Sequence, residues 1–201
     1  NSNNSTNSTN STNSTNSEEM TSLKDYCTRM KENQEDIYYI TGENIETLNS
    51  SPYLEIFNKR GLEVIFMTEP IDEYYVERLN KYEDHKLVCI TKDGLKLPED
   101  ESDNIDDKKN EFEALTKYIK EVCVGKLENV LISNKLTNSP CCITTSSNGW
   151  TANMERIMRA QTLNDKDSIG YMSSKKILEL NPYHPIIIDM NRKMKNNKES
   201  I

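Results

Sequence analysis

The sequence predicts an α+β protein made of two small units, and three observations lead to that prediction. Strand-like and helix-like segments alternate between residues 37 and 91, a pattern that favours a parallel-sheet α/β unit. Pro98 and the acidic run that follows it interrupt this alternation and mark a boundary. The first 17 of the 201 residues are only Asn, Ser or Thr, so they have no side chains to form a core. We therefore expect disorder at residues 1–17, a first unit at 18–98 and a second, α+β unit at 99–201.

Hydrophobic spacing and helix-capping residues define the elements of the first unit. In order, they are a helix over Leu23–Met30, a strand at Ile37–Ile40, a helix between Ser51 and Gly61, a strand at Leu62–Met67, a helix at Ile71–Leu79 and a strand at Leu87–Ile90. Leu23, Tyr26 and Met30 fall on one helix face, and Gly61 is typical of a helix end. The predicted strands are short and rich in β-branched and aromatic residues, as buried strands are.

The elements of the second unit are predicted from the same signals. They are a long helix with Phe112, Leu115, Ile119 and Val122 on one face, strands at Val130–Ile132, Cys141–Thr145 and Ile177–Leu180, a helix that Thr151 caps, and a last helix with Ile187, Met190 and Met194 on one face. Only a short turn over Thr137–Pro140 separates the first two of these strands. A link this short favours an antiparallel pair, so we expect these two strands to be direct neighbours.

Charge and hydropathy exclude several classes of partner. The net charge is −8, and six acidic residues lie between Glu99 and Asp107 without a base, so the acidity is a local patch. No basic stripe suited to phosphate contacts is present, so nucleic acid is not an expected partner. The apolar runs are far shorter than the roughly 18 residues that a membrane span needs, and no signal segment opens the chain. We expect a cytoplasmic protein that does not bind membranes.

Motifs for nucleotide binding, metal binding and nucleophilic catalysis are not found in the sequence. The six glycines are too widely spaced for a phosphate-binding loop. The two histidines, His85 and His184, and the lack of a C-x-x-C pair predict no metal site, and His184 suits the start of a helix. Five cysteines, an odd number, indicate reduced thiols. The neighbours Cys141 and Cys142 should point to opposite faces of a strand, and core packing is favoured for them over a redox role.

An apolar stripe is the most informative local pattern. Trp150, Met154, Ile157 and Met158 project to one side of a predicted helix. Such stripes are normally buried, so the residues alone favour a core role. The alternative is a soft binding surface, because a Trp beside two flexible thioethers can accept varied apolar partners. No catalytic residue is predicted from the pattern.

Five segments of the chain match the pattern of a known family. They are Asp36–Gly42, Met67–Tyr74, Gly94–Asp100, Ile132–Cys142 and Gly149–Gln161. Together they closely resemble the heat shock protein 90 chaperone family, in the family's order. The Cys-Cys pair and the Trp-Thr-Ala-Asn-Met segment are more similar to the cytosolic branch than to the compartmental ones. The resemblance implies that the first unit is the C-terminal α/β part of the middle domain. The second unit would be the start of the C-terminal domain.

The resemblance also implies where the family's ATP chemistry and its dimer contacts lie. In the family an N-terminal domain binds and hydrolyses ATP with Mg, and helices at the C-terminal end form a homodimer. These parts would lie upstream of residue 20 and downstream of Ile201. We therefore expect no cofactor, no metal and no ATPase activity in this chain alone. The partners that the family implies are client proteins and co-chaperones.

The resemblance strengthens the binding interpretation of the apolar stripe. The matching helix of the family is amphipathic and faces a cleft where client proteins dock. Trp150, Met154, Ile157 and Met158 are therefore the predicted client-binding residues. The main prediction is a fragment of an ATP-dependent chaperone that binds unfolded clients. The alternatives are an ATP-independent protein-interaction module and an inactive partial gene product, and an independent enzyme fits the residues least.

Overall fold

The computed structural model describes residues 20–97, 105–161 and 175–196, which form two separate sheets flanked by helices. This architecture confirms the predicted α+β class. The disorder predicted for residues 1–17 lies outside the described residues, as does the predicted boundary at Pro98. Among the described residues, no helix combines the length and the apolar character that crossing a bilayer requires.

The first sheet holds four strands in the order β2-β1-β4-β3. They are β1 (Ile37–Thr41), β2 (Ile65–Met67), β3 (Lys81–Tyr82) and β4 (His85–Cys89). β1 pairs in parallel with both β2 and β4, which confirms the predicted parallel unit. All five residues of β1 are buried because this strand is central and covered on both faces. The hairpin of β3 with β4 was not predicted, since a two-residue strand carries no periodic pattern.

Four α-helices and a 3-10 turn surround this sheet. They are α1 (Leu23–Arg29), α2 (Ile45–Asn49), the turn Pro52–Leu54 that leads directly into α3 (Glu55–Arg60), and α4 (Pro70–Arg78). Gly61 ends α3 with φ 59°, the left-handed conformation that its position predicted. Glu69 and Asp72 form a reciprocal capping box at the start of α4. The short α2 was not predicted because it buries only one side chain, that of Leu48.

The second sheet contains three strands, and its order corrects one prediction. The elements of this unit are α5 (Ile105–Glu111), α6 (Glu113–Val122), β5 (Asn129–Ile132), β6 (Cys141–Thr145), α7 (Ala152–Gln161), β7 (Lys176–Leu180) and α8 (Pro185–Asn196). The strand order is β5-β7-β6, so the predicted direct pairing of β5 with β6 is wrong. β7 lies between them, parallel to β5 and antiparallel to β6. Its Ile177, Glu179 and Leu180 are buried, as expected of a central strand.

Each unit has its own hydrophobic core. In the first unit, Tyr38 and Phe57 meet edge to face with ring centroids 5.0 Å apart at the centre of the largest cluster. In the second unit, Phe112 and Leu115 pack against the sheet residue Leu180 and against α8. The three hydrophobic clusters of the described residues each lie within one unit.

Candidate functional site

The start of α7 is held against the first unit by a buried carboxylate. Glu73 of α4 is only 2% exposed. It accepts hydrogen bonds from the Thr151 hydroxyl at 2.6 Å and from the Asn153 side-chain amide at 3.0 Å. The same Thr151 oxygen accepts the Met154 backbone N–H at 2.9 Å, which confirms Thr151 as the cap of this helix. The first turn of α7 therefore has a fixed position relative to α4.

The structure divides the predicted apolar stripe of α7 into two pairs. Met154 and Ile157 are buried, with 4% and 7% of their surfaces exposed. Trp150 and Met158 are half-buried. The Tyr74 hydroxyl lies 3.7 Å from the Met158 sulfur and so connects Met158 to the first unit. Only Trp150 and Met158 of the four predicted residues present apolar surface to solvent in this chain.

The opposite side of α7 is charged. Glu155, which is buried, pairs with Arg159 one turn later on the helix. Arg156 donates to the Asn153 side chain at 2.9 Å and lies 4.0 Å from Glu43 of the first unit. A partly apolar edge beside a face of charged side chains is an arrangement that can contact unfolded chains of mixed composition.

A second carboxylate of the first unit binds the loop that precedes β6. Glu55, the first residue of α3, accepts backbone N–H bonds from Thr137 and Asn138, both at 2.7 Å, and from Ser139 at 3.0 Å. The hydroxyls of Thr137 and Ser139 also donate to it. Partial burial alone raises the pKa of Glu55, but the bonds from Ser139, Asn138 and Thr137 outweigh this effect and lower its pKa to about 2. Glu55 is therefore ionised at any physiological pH.

Backbone bonds also join the outer edge of β6 to the first unit. The Asp93 N–H donates to the Thr145 carbonyl at 2.9 Å, and the Thr145 N–H donates to the Thr91 carbonyl at 3.1 Å. The Tyr53 hydroxyl donates to the Ile143 carbonyl. Burial raises the pKa of Tyr53, which keeps this hydroxyl protonated as a donor. The strand is thus paired on both edges, once with β7 and once with the first unit.

A cleft of about 310 Å³ lies where the two units meet. The first unit contributes residues such as Thr41 and Tyr53 to its walls, and the second contributes Ile143, Thr145 and Thr151. The hydrogen bonds of Tyr53 and Thr145 connect the two units beside this cleft.

The cysteines and histidines take structural positions. Cys142 is buried and Cys141 is exposed, which confirms that they point to opposite faces. Burial raises the pKa of the Cys142 thiol to about 12, and desolvation also raises the pKa of Cys141, so neither is an activated thiolate. Nδ1 of His184 accepts the Ile186 N–H at 3.2 Å, which confirms His184 as a helix-start residue. Within residues 20–97, 105–161 and 175–196, no group of three His, Cys, Asp or Glu side chains could hold a metal ion.

Sequence patterns did not identify Glu55 and Glu73 as important residues. Both lie on short helices with several other charged residues, where a glutamate is usually solvent-facing. Their partners are 82 and 78 positions further along the chain. No local signal in the sequence could reveal contacts at this separation.

Comparison with known proteins shows similarity along most of the chain. The model of the family described as Hsp90 protein matches residues 8–201. Over 182 residues the chain is 48% identical to the putative heat shock protein HSP 90-beta-3 of Homo sapiens. This alignment covers 90% of this chain and 30% of that protein. It is 49% identical over 178 residues to heat shock protein 83 of Leishmania donovani, covering 88% of this chain and 39% of the relative. An endoplasmin homolog of Arabidopsis thaliana is 45% identical over 181 residues, covering 90% of this chain and 22% of that relative. The chain thus spans well under half the length of these relatives.

Proposed function

Because the chain belongs to the heat shock protein 90 family, we propose that it is the client-contacting part of a molecular chaperone. Its task is to bind unfolded or partly folded proteins through α7. In the complete chaperone, this binding is driven by ATP hydrolysis in another domain, assisted by co-chaperones and carried out by a homodimer. The compartment that we propose is the cytoplasm, on the basis of the Cys141-Cys142 pair and the segment that begins at Trp150.

The position of Trp150 and Met158 is the observation that supports this proposal most directly. Both side chains are half-buried at the edge of a helix whose inner residues, Met154 and Ile157, are packed inside. The indole that directly precedes α7 and a flexible thioether of α7 are therefore both partly exposed at the surface. Such pairs bind apolar segments without demanding one sequence, because the thioether adapts its shape and the indole supplies area.

Suppression of aggregation tests the proposal. The purified chain is mixed with a thermally unfolding client protein, and light scattering is followed with and without Trp150→Ala combined with Met158→Ala. We expect the double variant to lose most of the suppression that the unchanged chain shows. Met154 and Ile157 are unsuitable positions for this test, because removing a buried side chain costs about 2–5 kcal/mol and would unfold the region.

A matched control distinguishes this face from general hydrophobicity. Ile186 and Ile188 of α8 are 56% and 48% exposed, so their joint change to Ala removes exposed apolar surface at another place on the same unit. We expect this control to suppress aggregation as well as the unchanged chain does. Equal suppression by the Trp150/Met158 variant and the unchanged chain would refute the proposed client face.

The role of ATP is tested separately. The chain alone is expected neither to hydrolyse ATP nor to change its client binding when ATP and Mg are added. ATP turnover by the purified chain, abolished by a change within it, would contradict the proposed division of labour.

A further inference from the structure

Glu55 binds the second unit as an anion held by dipoles. Its carboxylate accepts hydrogen bonds from three successive backbone N–H groups, those of Thr137, Asn138 and Ser139, and from the hydroxyls of Thr137 and Ser139. Successive N–H groups that converge on one anion form a directional nest. Unlike an ion pair between flexible side chains, this contact is made only when the loop is correctly oriented. The contact therefore restricts both the distance between Glu55 and the loop and the angle at which the loop approaches it.

Both sides of the Glu55 contact are rigidly supported. Its neighbours Ile56 and Phe57 are buried in the largest core cluster of the first unit. On the other side, the buried Asn181 donates to the Ser139 carbonyl at 3.1 Å from its side chain and to the Pro140 carbonyl at 2.9 Å from its backbone. The loop is thus tied to the end of β7, so a movement of either unit is transmitted to this contact.

Glu73 makes a contact of the same kind at α7. It is buried in the first unit and accepts from the neutral donors Thr151 and Asn153 of the second unit. In both contacts a carboxylate of the first unit binds neutral donors of the second unit. The two contacts hold different segments, the loop before β6 and the first turn of α7.

The remaining contacts between the units favour a hinge over a rigid block. Each hydrophobic cluster of the described residues lies within one unit, and residues of both units line a cleft of about 310 Å³. The backbone bonds of Thr145 with Thr91 and Asp93 form a narrow connection about which the units can turn. Because none of these clusters spans both units, directional hydrogen bonds make a large contribution to their relative orientation.

We propose that Glu55 and Glu73 are coupled latches that together set the orientation of the second unit on the first. While both are closed, α7 holds its position beside α4. Opening either latch weakens the other, because the two segments that they bind lie on either side of β6 in the chain, and the units then turn about the connection at Thr145. The latches also determine where Trp150 and Met158 point. Only the effect of this change in direction on client binding rests on the proposed function.

Hydrogen–deuterium exchange of the full chain, followed by mass spectrometry, tests the coupling without any client. The variants are Glu55→Gln, which places an amide N–H₂ against N–H donors, and Glu73→Ala, which removes the acceptor. In Glu55→Gln we expect exchange about tenfold faster at residues 137–139 and also at residues 152–155. In Glu73→Ala we expect the same two segments to respond.

Three controls make the result decisive. Glu46→Gln removes an exposed carboxylate of α2 and should leave both segments unchanged. Glu73→Gln keeps an oxygen acceptor and should restore slow exchange. If either latch variant also exchanges rapidly within β1, it has lost its fold.

In that case milder variants take the place of the first ones. Glu55→Asp, which keeps the charge but has a shorter side chain, replaces Glu55→Gln, and Glu73→Ser replaces Glu73→Ala.

The outcome that overturns the proposal is a purely local response. If each variant accelerates exchange only in the segment that its own carboxylate binds, the two contacts are independent and do not form a coupled device. Because no client is present, this result would not contradict the proposed client face. Conversely, a failed aggregation assay would not contradict the proposed coupling of Glu55 and Glu73.

Discussion

Replacing Glu55 by Gln should destabilise the protein by an amount that the structure allows to be worked out. The carboxylate has a pKa of about 2 in the folded state, against an ordinary value of 4.5. This difference corresponds to about 3 kcal/mol of preferential binding of the ionised form, as an upper limit. Because Glu55 is half-buried and solvent screens part of the interaction, we expect an observed loss of about 1–2 kcal/mol at pH 7.

The sign of the pH dependence follows from the lowered pKa. A carboxylate that binds protons less readily when folded stabilises the protein fully above its unfolded pKa near 4.5. This stabilisation is lost as the pH falls towards 2, where Glu55 becomes protonated in the folded state too. The difference in unfolding free energy between the unchanged chain and Glu55→Gln should therefore be largest at pH 6–7 and shrink between pH 4.5 and 2.

Urea unfolding at a series of pH values, followed by circular dichroism and Trp150 fluorescence, measures this difference. Other carboxylates also titrate in this range, so only the difference between the two proteins is informative. Glu46→Gln serves as the control, and we expect it to remain within about 0.5 kcal/mol of the unchanged chain. A difference for Glu55→Gln that stays below about 0.3 kcal/mol at pH 7, or that does not depend on pH, would refute the reasoning.

Three further predictions concern other parts of the chain. Glu73→Ala leaves the buried Thr151 hydroxyl without its acceptor, so urea unfolding should show a loss of about 1–3 kcal/mol, and Glu73→Gln should recover most of it. Gly61→Ala forces a side chain into φ 59°, so the melting temperature should fall as about 1 kcal/mol of stability is lost; an unchanged melting curve would contradict the left-handed helix end. In a thiol-reagent titration of the folded chain, Cys141→Ser should remove a readily modified thiol. Cys142→Ser should remove one that reacts only in denaturant, and modification of Cys142 before unfolding would contradict its burial.

The orientation of the units links these predictions to the proposed function. The proposed client face consists of Trp150, which precedes α7, and Met158 of α7, and Glu73 binds Thr151 and Asn153 at the start of this helix. A change in the latches would move Trp150 and Met158 without altering either side chain. A chaperone could in this way change its client contacts through domain orientation alone, which is how bistable interfaces generally amplify small local changes.

Local signals in the sequence were sufficient for most helices and strands. The spacing of Leu23 and Tyr26 predicted α1, the run at Ile37–Ile40 predicted β1, and Gly61 predicted the end of α3. These features depend on residues only a few positions apart, so propensity, periodicity and capping determine them. The apolar stripe of α7 was also predicted, but its division into buried and half-buried pairs was not.

Pairing between distant segments was where local signals failed. The short link at Thr137–Pro140 suggested a hairpin, yet β7 separates β5 from β6. The backbone N–H groups of that link instead donate to Glu55, so the link forms part of the contact between the two units. Its length alone carries no information about that role.

The sequence by itself determined the α+β class, the positions of most elements, the family and the helix with the apolar stripe. Tertiary structure alone decided the order of the second sheet, which stripe residues remain at the surface, and the roles of Glu55 and Glu73. The physical reason is the range of the interactions. Helix and strand formation depends on neighbours within one or two turns, whereas burial and carboxylate contacts depend on which distant segments the folded chain brings together.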